Sequence, residues 1–245
     1  MFPGFGTLVN VITVIIGSAI GLLLGHRLPQ RTRDTVTDGL GLVTLLIGGL
    51  SAVQVTSSAL SDSVGSSAPI LIVLGALLIG GIIGSLVDIE RRLSDLGVWL
   101  QFRFKAHGSQ ARFVEAFVSS SLVFCVGPLT ILGSLSDGLG LGADQLLLKA
   151  TLDGFASIAF AASLGIGVMA SALAVGGIQG SLTLVGVLIG DFLPAAHLAS
   201  ITATGGLLLV GVGMRLLQLK AIPVGNMLPS LVVAPLLVQL VVVLK

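Results

Sequence analysis

Apolar residues dominate this chain in long unbroken runs, separated by short joints rich in Arg, Asp, Gly and Pro. The runs predict helices over 7–25, 36–56, 68–88, 112–133, 148–173, 180–193, 198–215 and 225–244. Most approach the roughly 20 residues that carry a helix across a bilayer. The sixth and seventh are short and meet at "DFLPAAHLAS", so the pattern fits seven spans as well as eight. A β-barrel would show strands of about ten residues alternating in polarity, and these runs do not alternate. The expected fold is all-α: a polytopic membrane protein forming a single domain over 1–245.

Composition agrees. Of 245 residues, 54% are hydrophobic and 9% charged, against about 25% charged in soluble domains. Glycine, at 34 residues, is roughly double its usual share of about 7%. In lipid, small residues let helix backbones approach closely, which also leaves room for a homodimer. A net charge of +1 gives no basic face for nucleic acid. The single cysteine, Cys125, excludes an internal disulfide and a thiol-rich metal site; it reads as a small buried hydrophobe. The first residues lack the basic start and cleavage site of a signal peptide and are read as a helix.

Basic residues favour the cytoplasmic side. Arg27, Arg31 and Arg33 follow the first run, Arg91, Arg92, Arg103, Lys105 and Arg112 the third, and Arg215 and Lys220 the seventh. An N-terminus outside the membrane puts all ten inside and leaves only Lys149 and Lys245 outside. In the connector 89–111, Ile89, Leu93, Leu96 and Leu100 recur at helical spacing, with Trp99, Phe102 and Phe104 beside basic residues. That describes an amphipathic helix in the cytoplasmic membrane surface, or one packed on the base of the protein.

The chain also resembles itself. Shifting "IGLLLGHRLP" (20–29) by 165 residues gives "VGVLIGDFLP", matching Gly21 to Gly186 and Gly25 to Gly190. The same register pairs Gly41 with Gly206 and Gly48 with Gly213. The two copies enter the membrane from opposite sides, an inverted-topology repeat of the kind common in secondary transporters. A second alignment sets "VTDGLGLVTL" (36–45) on "TLDGFASIAF" (151–160), matching Asp38-Gly39 to Asp153-Gly154. Candidate units are therefore 6–90 with 112–193, or 6–88 with 170–245.

Four stretches, "LVNVITVIIGSAIGLLLGHRLP", "FCVGPLTILGSLSDGL", "LKATLDGFASIAFAASLGIGV" and "NMLPSLVVAPLL", occur in an order that resembles the bacterial YqgA/YdfK-like membrane proteins, the domain of unknown function numbered 554. The resemblance spans nearly the whole chain. It implies a multi-pass bacterial inner-membrane protein and supplies neither a substrate nor site residues.

Candidate chemistry therefore comes from the residues alone. An ionisable side chain within lipid costs roughly 2.5–3.5 kcal/mol on insertion scales and faces a cavity or a partner. Asp38 and Asp153 are the leading acids, approaching the midplane from opposite sides if the second alignment holds. Thr37 and Thr151 stand beside them with hydroxyls for a cation or polar solute. The competing account of Asp153 is local: the helix dipole stabilises an early acid, and Lys149 at i−4 can pair with it. Glu115 has Arg112 three residues back as a surface partner. Pro128 removes the donor to the carbonyl of Phe124 and Gly127 weakens the same turn, so carbonyls there are candidates for ligand binding. Asn10, deep in the first helix, completes the set.

Enzyme signatures are missing. There is no H-E-x-x-H, no Walker A, and Ser136 lacks the first glycine of a G-x-S-x-G elbow. The expected protein is not an enzyme and needs no metal or cofactor. The expected function is a secondary transporter or permease for a small solute or ion, rocking between inverted repeats. A channel and a non-transporting scaffold or accessory subunit are the alternatives.

Overall fold

A computed structural model of the chain describes residues 2–25, 29–103, 109–125, 128–189 and 194–244. Among them every regular element is helical: α1 (Phe5–Gly25), α2 (Gln30–Ala52), α3 (Ser58–Val64), α4 (Ala68–Val87), α5 (Ile89–Arg103), α6 (Gln110–Cys125), α7 (Pro128–Gly138), α8 (Asp144–Leu164), α9 (Gly167–Ile189), α10 (Ala195–Leu216), α11 (Val224–Met227) and α12 (Ser230–Leu244). Among the described residues seven stretches are long and apolar enough to cross a membrane, or eight if α6 and α7 form one bent span. Large apolar side chains such as Leu23, Ile70, Leu86 and Val243 stay exposed, as expected where hydrocarbon is the solvent.

Local chemistry sets the ends. Ser57 caps α3 by accepting the Leu60 amide, and Pro69 sits in the first turn of α4, where a missing donor costs nothing. The expected helix over 148–173 is two helices. Gly165 takes φ +97°, a conformation that suits glycine, and α9 begins two residues later. The run carries no charge across this joint, so hydropathy alone hides it. The start moves as well: α8 begins at Asp144, whose carboxylate suits a helix N-terminus. Asp153 is therefore the tenth of 21 helical residues rather than one turn from the end.

The chain forms two compact units, Met1–Leu40 with Ser94–Phe192, and Gly41–Leu93 with Leu193–Lys245. The first holds α1 and α6–α9. Its centre is a seam between α1 and α8 in which Gly17, Gly21 and Gly25 recur every fourth residue. A Cβ at these three positions would strike the carbonyls of Gly154, Ile158 and Ala162 respectively. The ascending order on both helices makes them parallel, with backbones close enough to exclude any larger side chain. Phe124 and Phe160 meet edge-on beside this seam, ring centroids 5.9 Å apart.

The second unit holds α3, α4, α10–α12 and the latter part of α2, around Leu60, Val64, Ile72, Ala196, Ala199 and Val238. Within it α2 crosses α10 with Gly41 against Gly213 and Gly48 against Gly206, so the two run antiparallel. The pair α4 and α12 does the same, with Gly80 against Ser230 and Gly84 against Asn226. Helix α5 begins in the second unit and continues into the first. Gly97 packs on Val114 and Phe117 of α6, while Trp99 and Phe102 are exposed.

Candidate functional site: a buried ion pair and two amides

Lys149 and Asp153 share one face of α8 at i,i+4. The ammonium Nζ lies 2.8 Å from Oδ2 and 3.0 Å from Oδ1 of the carboxylate, with both side chains 9% exposed. Because the glycine seam holds α1 against α8, Asn10 reaches the same carboxylate. It is fully buried and donates Nδ2–H to Asp153 Oδ2 at 2.9 Å. Its other amide atom, Oδ1, has no hydrogen-bond partner among the described residues. Buried polar atoms are rarely left so.

A second amide lies at the same level. Thr7 and Thr183 meet through their hydroxyls at 3.4 Å, and Gly176 sits against Val11, which sets α9 antiparallel to α1. Between these two contacts lie Asn10 on α1 and Gln179 on α9. Gln179 is fully buried, and neither end of its amide has a partner among the described residues. Asp137 on α7 is anchored instead, accepting the Gly4 and Gly6 amides at 3.2 and 3.1 Å. Polar side chains of α1, α8 and α9 thus lie at neighbouring levels inside one unit, with the salt bridge mid-helix.

The two-aspartate site expected from sequence does not form. Asp38 is exposed on α2, and the neighbouring Thr37 hydroxyl meets that of Ser163. Ser163 lies ten residues beyond Asp153, about 15 Å along α8. The reason is topological: α1 and α8 run parallel and end together, Gly25 lying against Ala162, and α2 starts from that end. Thr151 is exposed and bonds back to the Leu147 carbonyl at 3.0 Å. Gly127 lies outside the described residues, and Pro128 opens α7. The axes of α6 and α7 meet at 75°. The Phe124 carbonyl is taken by the Thr130 hydroxyl at 3.3 Å, so it is not held out to a ligand. Arg112 reaches the Ser163 carbonyl at 2.8 Å while Glu115 is exposed, so the expected surface pair is replaced by a helix-end contact.

Neither Lys149, expected on the outer side at the head of a helix, nor Gln179 is among the site residues expected from sequence. Their signal was present: a lysine and a glutamine within apolar helices. A second acid–base pair was not expected at all. Glu90 on α5 accepts from Arg215 at 2.5 Å and from the Gly225 amide at 2.6 Å, while its own amide donates to Asn226 Oδ1 at 2.7 Å. Elsewhere in the first unit, an apolar groove of about 330 Å³ is lined by Val11, Ile15, Phe113, Ile166, Met169 and Leu173. Its lining side chains are all apolar. No cluster of metal-binding side chains occurs among the described residues.

Apolar spans on this scale, with polar groups turned inward, define a polytopic α-helical membrane protein. The chain belongs to the family described as "Protein of unknown function (DUF554)", which it matches over residues 5–239. It is 32% identical over 235 residues to the "Uncharacterized protein YqgA" of Escherichia coli (strain K12), covering 94% of each chain. It is 30% identical over 234 residues to the "Uncharacterized membrane protein YdfK" of Bacillus subtilis (strain 168), covering 96% of this chain and 95% of that one. No solved structure matches it.

Proposed function

We propose that the protein is a secondary transporter or permease for a small solute or ion in the bacterial inner membrane, with the Asn10–Asp153–Lys149 cluster as its central site. One observation carries this reading: a salt bridge at the middle of a membrane-spanning helix, beside buried amides with unused hydrogen-bonding capacity. A purely structural pair would be matched by its surroundings, because an unsatisfied buried group costs roughly 1–3 kcal/mol.

The repeat supports the same reading. A shift of 165 residues carries 5–25 onto 170–190 and 30–52 onto 195–217, beside α9 and α10 as observed. This favours the units 6–88 and 170–245, with α2 against α10 and α4 against α12 as antiparallel partners. Alternating access would rock these partners about their glycine contacts. The arginine-rich joints favour an N-terminus outside.

The test is a solute screen on purified protein, read as thermal stabilisation, followed by flux of each hit into proteoliposomes. The expected hit binds Asp153→Asn at least about tenfold differently from the parent, a change of about 1.4 kcal/mol. A transported solute that binds both proteins equally removes Asp153 from the site.

A further inference from the structure

We propose that this site takes a small monovalent anion together with one proton, Lys149 holding the anion and Asp153 the proton. The inference deepens the reading of Lys149, Asp153 and Asn10 as the solute site and rests on it.

Charge balance comes first. Paired, Lys149 and Asp153 leave the site neutral. A cation added to that pair, or an anion added alone, would leave an uncompensated charge in a low-dielectric interior, which is costly. The surroundings supply no compensation. Along α1 and α9 there is no charged residue. The single acid of α7, Asp137, is held by the Gly4 and Gly6 amides. On α6, Arg112 bonds the Ser163 carbonyl, ten residues beyond Asp153, and Glu115 is exposed. The remaining charge on α8, Asp144, is in its first turn.

The orphaned amide atom then shows which change the site accommodates. A proton taken from water onto a carboxylate oxygen of Asp153 breaks the attraction to Lys149. It also gives the carboxyl group a donor. A carboxylic acid and a primary amide can form two parallel hydrogen bonds, amide N–H to the acid carbonyl and acid O–H to the amide oxygen. The first already exists in the Asn10 Nδ2–Asp153 Oδ2 contact, and the second would use Asn10 Oδ1, which has no partner. The released ammonium then needs a counter-ion, which the anion provides. Gln179, at the level of Asn10, brings an unused amide donor to the same region. Both the empty and the loaded site are neutral, so the anion and the proton enter together or not at all.

The experiment uses the full-length protein in detergent micelles. Thermal unfolding is followed in acidic and in alkaline buffer with sodium chloride, nitrate or formate, against sodium gluconate at equal ionic strength. The expected result is stabilisation by at least one of the three small anions that is present in acid and lost in alkali. Asp153→Asn, which stands in for the protonated acid, should bind that anion in both buffers. Lys149→Gln should bind it in neither. The proposal is overturned if the parent protein responds to none of the three anions, responds equally at both acidities, or responds to exchange of sodium for choline instead. Anion binding without flux in proteoliposomes would end the transport reading and leave the site as stated. Flux of a hit with no anion response would do the reverse.

Discussion

Among the described residues each unit carries one acid–base pair, and the two are built differently. Glu90 and Arg215 are far apart in sequence, about a quarter exposed, and joined by the Gly225 amide and the Asn226 side chain. Both carboxylate oxygens of Glu90 are occupied, and the pair ties α5, α10 and α11 together. Lys149 and Asp153 are neighbours on one helix, more deeply buried, and beside an amide that is only half used. The first arrangement is a finished clamp. The second holds together while leaving bonding capacity unspent, as expected of a group that changes partners.

The contrast can be broken most severely at the seam that holds the second pair in place. Gly21→Val drives a side chain into the Ile158 carbonyl and separates α1 from α8; the expected outcome is loss of a monodisperse peak in size-exclusion chromatography. Asp153→Asn comes next. It leaves a buried ammonium unpaired, and in anion-poor buffer stability should fall by about 3 kcal/mol. The double variant Lys149→Gln/Asp153→Asn should return to within about 1 kcal/mol of the parent. A double variant no more stable than the single one would show that an unpaired ammonium is not the cause of the loss. Glu90→Ala should cost about 2 kcal/mol through lost charged hydrogen bonds, with no effect on any solute response. Asp38→Asn, at an exposed position, should change the unfolding midpoint least, within about 0.5 kcal/mol. Thermal or denaturant unfolding in detergent checks these last four variants.

The helical membrane class was legible because apolar runs report the solvent directly. So was the association of Asn10 with the interior, since a lone amide in an apolar helix has few other places to go. Helix ends in α8 were not legible. An apolar run read from 148 sets Lys149 and Asp153 at its head, and the uncharged Gly165 joint falls within it. That error moved Asp153 toward the edge and made the dipole a sufficient account of it. The pairing of Asp38 with Asp153 failed for another reason. Shared local sequence says that two helices are alike, but proximity depends on which ends meet, and the parallel α1–α8 seam decides that.

The spacing of Lys149 and Asp153 also bears on how the protein is made. A lone charge near a helix centre opposes entry into lipid by roughly 2.5–3.5 kcal/mol. Two opposite charges four residues apart can neutralise each other as soon as α8 coils, before any other helix has docked. The segment can therefore leave the insertion machinery with its two central charges paired, the third, Asp144, standing in the first turn. Its two-residue joint to α9 delivers both helices as a hairpin, and α1, already synthesised, needs only to present its glycine face.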